Sequence, residues 1–393
     1  MPKNVIYEEK LKELLKSNAG HLYGKAVCAV NKNGEALFRH SVNCGTDAVF
    51  DLASVSKVLT GTMVFRLIGE GALSLPQTLD LLFENKPIGP ITKSRFKNMT
   101  LRSLLTHSSG LPAWFPFYTR KDSFWKTLED VLEKCPVEAG AVYSDLGFML
   151  LGEAVVSASG RSLPQNLDAL NAALGTSFTY NPKNRGACVE TEAGNRIEKR
   201  MCDAYKVGEE LGLSFDGFRD TATNMRSEVN DGNAFYFWGG IAGHAGVFGT
   251  AEDLLKLGGL YLDAGKINGK QLIPPRLIGE STIDYGGERG LMWDLSDIYI
   301  HGFGHTGFTG TSLYLCPEKA LVATILTNRL VIEPAPNLRE FRMEAHTLMN
   351  LEPYEQKKEE NHGGHGGKTG KKFSCCPNSS TEEYGEKNPG IDF

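Results

Sequence analysis

Asp51-Leu52-Ala53-Ser54-Val55-Ser56-Lys57-Val58-Leu59-Thr60 sets a hydroxyl and an amine three positions apart, at Ser54 and Lys57, just ahead of an apolar run. On a helix, positions i and i+3 share a face and their side chains can meet. Val58, Leu59, Met63, Val64, Leu67 and Ile68 recur at helical spacing, and Gly71 is a C-terminal stop signal. A serine at the first turn sits among unpaired backbone N–H groups that favour developing negative charge. Burial of the neighbouring lysine would depress its pKa, because a low dielectric disfavours the charged form. The pair therefore reads as an activated nucleophile, against the alternative of a serine N-cap followed by a surface lysine. Ser56 projects from a different face and ranks below Ser54.

Outward from this segment, strand signals gather at the two ends of the chain. Lys25 to Val30 and Ala36 to His40 flank Asn31-Lys32-Asn33-Gly34, a strong short hairpin signal. Ile298 to Phe303, Thr311 to Cys316 and Leu321 to Thr327 read as strands near the other end, with a turn at Pro317-Glu318-Lys319. Helix signals dominate elsewhere: Tyr7 to Ser17, Thr100 to Leu105, Ser144-Asp145 running on to Gly160, and a capping-box-like start at Thr250-Ala251-Glu252-Asp253. The pattern predicts an α/β fold in which N- and C-terminal strands pair in one antiparallel sheet flanked by helices. A mainly helical subdomain, about 72–240, is inserted, and the cleft lies at the junction. Residues 1–350 make this one domain, and the polar, Gly/His-rich stretch 351–393 reads as a disordered tail.

The 393 residues suffice for a large core, and 41% apolar content with a net charge of −5 suits a globular enzyme and gives no reason to expect nucleic acid. No apolar run reaches the roughly 18 residues of a membrane span. The charged N-terminus lacks a signal core, so a cytosolic location is expected if the chain is the full precursor. Eight irregularly spaced cysteines form no C-x-x-C or zinc pattern and read as reduced packing thiols. In the tail, His362, His365, Cys375 and Cys376 are weak candidates for metal binding, or for lipidation in the case of the cysteines.

Three later segments could complete a site around Ser54: Leu104-Leu105-Thr106-His107-Ser108-Ser109-Gly110, Val142-Tyr143-Ser144-Asp145, and Gly304-His305-Thr306-Gly307-Phe308-Thr309-Gly310. With S-x-x-K, L-L-T-H-x-S-G, Y-S-D and H-T-G in that order, residues 20 to 330 resemble the serine β-lactamase and penicillin-binding-protein superfamily, in its class C-like branch. Asn233-Ala234 leading into Gly239 to Gly246 resembles that branch's penicillin-binding-protein-4B-like members. The resemblance implies that Ser54 is the acyl-forming nucleophile, with Lys57 and Tyr143 managing its proton as a unit. It implies an oxyanion hole from the backbone N–H groups of Ser54 and Phe308. Asp145, His305, Thr306 and Gly307 fall at substrate-binding positions. Asp145 stands where an asparagine is usual and could pair with Lys57; His305 replaces a lysine and would carry less positive charge near neutral pH.

No metal or organic cofactor is implied. The expected partner is a small-molecule or peptide substrate, with a D-alanyl carboxypeptidase or muropeptide amidase favoured by the resemblance. A cytosolic carboxylesterase on the same fold is the alternative, and a catalytically silent binding or scaffold protein is the alternative of another class. His107 and His244 are expected to hold loops by hydrogen bonds, Arg102 to pair with an acid, and Trp114 and Trp238 to pack near the cleft. Gly302-Phe303-Gly304-His305-Thr306-Gly307 spells a dinucleotide fingerprint, but no helix is predicted after it. Lys368-Thr369-Gly370 spells the lysine form of the third motif in a stretch without strand character.

Overall fold

The computed structural model describes residues 4–204 and 213–351. Its organising element is a five-stranded antiparallel sheet built from both ends of the chain. The strands are β1 (Ala26–Lys32), β2 (Glu35–Val42), β3 (Phe303–Thr306), β4 (Ser312–Cys316) and β5 (Leu321–Thr327). They lie in the order β2-β1-β5-β4-β3, with Ala26 opposite Thr327 and His305 opposite Leu313. Asn33 and Gly34 both take positive φ, 54° and 79°, as a two-residue hairpin turn between right-twisted strands requires.

Strand periodicity explains why these strands are apolar throughout. Side chains alternate between faces, and both faces are covered. Ala26, Cys28 and Val30 of β1, with Leu321, Ala323 and Ile325 of β5, pack against α1 (Asn4–Ser17) and the last helix through Leu11, Leu15, Phe341 and Ala345. Val27, Ala29, Val322 and Leu326 point the other way, into the main core. That core also holds α2 (Ser56–Gly69), α3 (Asp145–Ser159) and α4 (Ala251–Leu262), whose caps are Ser144 for α3 and a Thr250–Asp253 capping box for α4. Twelve of the fourteen α2 residues are buried, the condition in which a helix is apolar nearly all round. The last helix is α5 (Arg339–Asn350).

Two expectations shift. Ile298 to Gly302 form turns rather than strand, and the edge strand begins at Phe303. The reason is packing: Ile298 and Tyr299 are buried with Tyr314 and the α5 side in the second core, the Tyr299 ring 5.6 Å from that of His346, and His301 takes φ 54°. Ser54 lies not in α2 itself but in a 3-10 turn, Ala53–Val55, leading into it. The Gly302 to Gly307 run is followed by a turn and β4, not by a helix. The tail from residue 352 on, with His362, His365, Lys368-Thr369-Gly370, Cys375 and Cys376, lies outside the described residues.

Candidate active site

The turn carrying Ser54 is held from below by Asp51. Its buried carboxylate accepts from Ala53 N at 2.9 Å through one oxygen and from Asn230 N at 2.7 Å through the other. Burial pushes this carboxyl up to about 6, against the two backbone donors that favour its ionised form. Ala53, between Asp51 and the serine, sits at φ +46°, a left-handed conformation that costs a Cβ-bearing residue energy. The loop after β3 is fastened to the same turn: Thr309 Oγ1 donates to Asp51 O at 2.8 Å and Thr311 Oγ1 to Leu52 O at 2.9 Å. Those bonds bring the Phe308 backbone beside the nucleophile turn. A Cβ on Gly307 would lie 2.2 Å from Thr311 Oγ1 and 2.5 Å from Leu52 O, so the close approach needs glycine.

Lys57 is fully buried and stands 2.8 Å from Ser54 Oγ, donating to it, and 3.2 Å from His244 O. Its ammonium is 2.7 Å from Asp145 Oδ1, at the first turn of α3. The expectation of a depressed lysine pKa is corrected here. Burial does push Lys57 down, but the Asp145 carboxylate, with Tyr143 adding to it, offsets that effect and holds the ammonium above its ordinary range. Lys57 at rest is thus a cation that donates, not a neutral base. Tyr143 stands over the same amine, its ring centroid 4.9 Å from Nζ. Burial raises the Tyr143 phenol, while Lys57 counteracts that rise.

His107 positions this tyrosine. Its Nδ1 accepts from Ser144 N at 3.0 Å, its carbonyl accepts from Val142 N at 2.9 Å, and its ring lies 4.5 Å from the Tyr143 ring. Burial depresses its pKa far below the ordinary value, so the ring is neutral. His305, on edge strand β3, faces Tyr143 at 6.0 Å between ring centroids. Its Nδ1 lies 2.7 Å from Thr306 O, which makes Nδ1–H the donor; burial, with Lys57 adding to it, drives the imidazole down to about 3. Ser56 serves the frame, its hydroxyl accepting from Val247 N at 3.1 Å. Arg102 pairs with Glu280 at 3.0 Å. Trp114 lines a small pocket with Ser54, whereas Trp238 packs among Phe117, Phe124 and Phe237.

Ser54, Lys57, Tyr143, Asp145 and His305 are therefore brought together from three separate segments. Thr306, Gly307 and Phe308 open onto a neighbouring cleft of about 660 Å3. Arg329 and Arg342 line it, held by backbone carbonyls: Arg329 Nε donates to Phe308 O at 2.7 Å and Arg342 Nη2 to Thr311 O at 3.0 Å. Burial lowers both to about 10, and neither pairs with an acid among the described residues. Among the described residues no group of three or more His, Cys, Asp or Glu side chains is placed to hold a metal ion. No helix among them is long and apolar enough to cross a membrane.

Several contributors carried no signal strong enough to single out. Asp51 and Asn230 meet only in three dimensions, and Arg289, 5.4 Å over the Tyr143 ring, sits in an irregular loop. Glu198 belongs to a short, very polar helix, Arg196–Asp203. Asp231, two residues before the Asn233-Ala234 pair, was the readable hint.

A family model described as Beta-lactamase matches residues 9–347. The chain is 29% identical over 357 residues to N-acetylmuramyl-L-alanine amidase of Bacillus subtilis (strain 168), covering 81% of this chain and 77% of that protein. It is 27% identical over 338 residues to an Escherichia coli (strain K12) protein with the provisional name D-alanyl-D-alanine carboxypeptidase, covering 78% and 75%. Among solved structures it is similar in fold to a class C beta lactamase from Rhodobacter sphaeroides, with TM-score 0.64, 18% identity, and coverage of 86% of this chain and 98% of that one.

Proposed function

The chain belongs to the Beta-lactamase family, whose members are serine hydrolases, and from that membership and the geometry around Ser54 we propose that it hydrolyses an amide or ester through a Ser54 acyl-enzyme. The observation that carries the proposal is the buried Lys57, 2.8 Å from Ser54 Oγ and 2.7 Å from Asp145, with Tyr143 over its amine. Ser54 Oγ attacks the carbonyl carbon, and its proton passes to the Tyr143–Lys57 unit. Because Lys57 rests as a cation and Tyr143 as a phenol, the active form of this unit holds one proton fewer than the resting one. The unit then delivers the proton to the departing nitrogen or oxygen, and water releases the acyl group by the same route. Backbone N–H groups of Ser54 and Phe308 receive the oxyanion; such donors contribute about 3 kcal/mol each to the transition state.

For the substrate we favour a short peptide of the D-alanyl or muropeptide type. The names of the two curated relatives support that class. So does the cleft beyond Phe308, where Arg329 and Arg342 would take a carboxylate on the departing part. Buried cations without an acidic partner gain from one. The esterase reading rests on His305, whose neutral ring leaves less charge at the third motif than a lysine would.

A fluorophosphonate probe read by intact mass should add one label to wild type and none to Ser54→Ala; equal labelling of both sinks the proposal. A panel of D-alanyl peptides, their C-terminal amides and p-nitrophenyl esters then separates the classes. Turnover of the free-carboxylate peptides above the amides supports the peptidase reading, and turnover of esters alone replaces it with the esterase. Labelling without turnover of any substrate leaves a silent binding protein.

A further inference from the structure

Beside the arginine cleft, a second, smaller cavity of about 40 Å3 is lined by Ser54, Trp114, Asp145, Glu198, Met201 and Asp231. Phe308 borders both spaces. Glu198 is only 8% exposed, and its Oε1 has no hydrogen-bond partner. Its other oxygen accepts from Gly232 N. The Tyr118 hydroxyl stands beside this carboxyl without completing a bond of good geometry. Asp231 Oδ1 accepts from His244 Nε2 at 2.9 Å and from Ala234 N at 2.7 Å. A buried acceptor left open beside a reactive serine needs a donor, and leaving it unmet costs stability.

We propose that Glu198 and Asp231 form an ammonium-binding subsite, so that the acyl part of the substrate carries a free primary amine close to the scissile carbonyl. The inference rests on the Ser54 reading and adds to it a substrate class: short zwitterionic peptides or aminoacyl amides, with the amine in the small cavity and a carboxylate in the arginine cleft. Volume supports this. A space of about 40 Å3, against the ~10–15 Å3 that admits one water, has room for an ammonium. Charge supports it as well. Burial, followed by the neighbouring Asp231 charge, pushes the Glu198 carboxyl well above its usual range, whereas the His244 ring offsets burial at Asp231 and holds it low. A cation seated beside both carboxylates favours the ionised form of Glu198. Trp114 adds an indole, the ring that best attracts a cation.

Two measurements test this. Alanine p-nitroanilide in both enantiomers, free or N-acetylated, is compared on wild type and Glu198→Gln. Wild type should prefer the free amine by about 10-fold or more in kcat/KM, the size of a charge-assisted bond, and Glu198→Gln should bring the pair within about 3-fold. Preference for the acetylated substrate, or a Glu198→Gln enzyme that keeps the wild-type preference, overturns the subsite. Independently of turnover, alaninamide should raise the melting temperature of wild type while N-acetylalaninamide does not; equal shifts overturn it. Fluorophosphonate labelling of the same wild-type sample reports on Ser54 alone, so failure of the nucleophile and failure of the amine pocket give different results.

Discussion

Replacing Asp145 by asparagine keeps the shape of the site and removes the one anion paired with Lys57. The ammonium is 0% exposed, and the carboxylate partner is 9% exposed at 2.7 Å. Breaking such a pair leaves an uncompensated buried charge, which costs about 3 to 5 kcal/mol. Lys57 can avoid that penalty only by releasing its proton, and the upper end, about 5 kcal/mol, corresponds to a fall of roughly 3.5 pH units in its folded-state pKa. In wild type the folded pKa is raised, so the stability Lys57 contributes is complete below its unfolded value and lost as pH rises through the folded one. In Asp145→Asn the folded pKa drops below the unfolded value, the unfolded chain binds more protons in between, and stability rises with pH across that window. Urea denaturation at several pH values from 7 to 10 should show a deficit of about 5 kcal/mol at pH 7 that shrinks towards pH 10. The acylation rate with a p-nitrophenyl ester should turn on at lower pH than in wild type, because a neutral Lys57 becomes available earlier. A deficit that is constant from pH 7 to 10, with an unmoved rate profile, would refute the assignment of Asp145 as the group holding Lys57 charged.

Tyr143→Phe keeps the ring against His107 and deletes the hydroxyl, so acylation should fall by about 10² to 10⁴ with little change in melting temperature; a rate within threefold of wild type would remove Tyr143 from proton transfer. Gly307→Ala forces a Cβ into Thr311 Oγ1 and Leu52 O, and overpacking of this kind costs about 1 to 3 kcal/mol. Because the strain falls on the Ser54 turn, fluorophosphonate labelling should slow by about 100-fold, and wild-type labelling would show that the loop and turn are not rigidly joined. The buried imidazoles should make the fold acid-sensitive. His305 at about 3 and His346 at about 4 are depressed from 6.5, so the stability they contribute is present above pH 6.5 and lost as pH falls through the folded values. At about 1.36 kcal/mol per pH unit, His305 alone accounts for roughly 5 kcal/mol. His305→Asn should move the acid-unfolding midpoint to lower pH, and no movement would contradict a buried neutral ring.

What could be read in advance follows from how local each constraint is. Ser54 and Lys57 were legible because their relation is one turn of backbone, and the Asn33-Gly34 hairpin because its φ requirement is written in two residues. The sheet was legible because β1 and β5 are buried on both faces and so are apolar throughout. Ile298 and Tyr299 misled because they bury against the α5 layer without alternating in a strand. The protonation of Lys57 was read the wrong way because burial is a property of the lysine's own segment, whereas the counter-charge arrives from Asp145, 88 positions later, and its effect depends on 2.7 Å. Glu198 and Asp51 had no pattern at all, and Asp231 only its place just before Asn233-Ala234; their meaning is in what folding sets beside them.

Asp51 joins these parts mechanically. One of its oxygens holds the strained Ala53 ahead of Ser54, and the other holds Asn230, the neighbour of Asp231. The nucleophile turn and the loop of the amine pocket thus hang from the same carboxylate, like two arms of a rocker on one pivot. A group seated against Asp231 would therefore bear on the same carboxylate that holds the Ser54 turn.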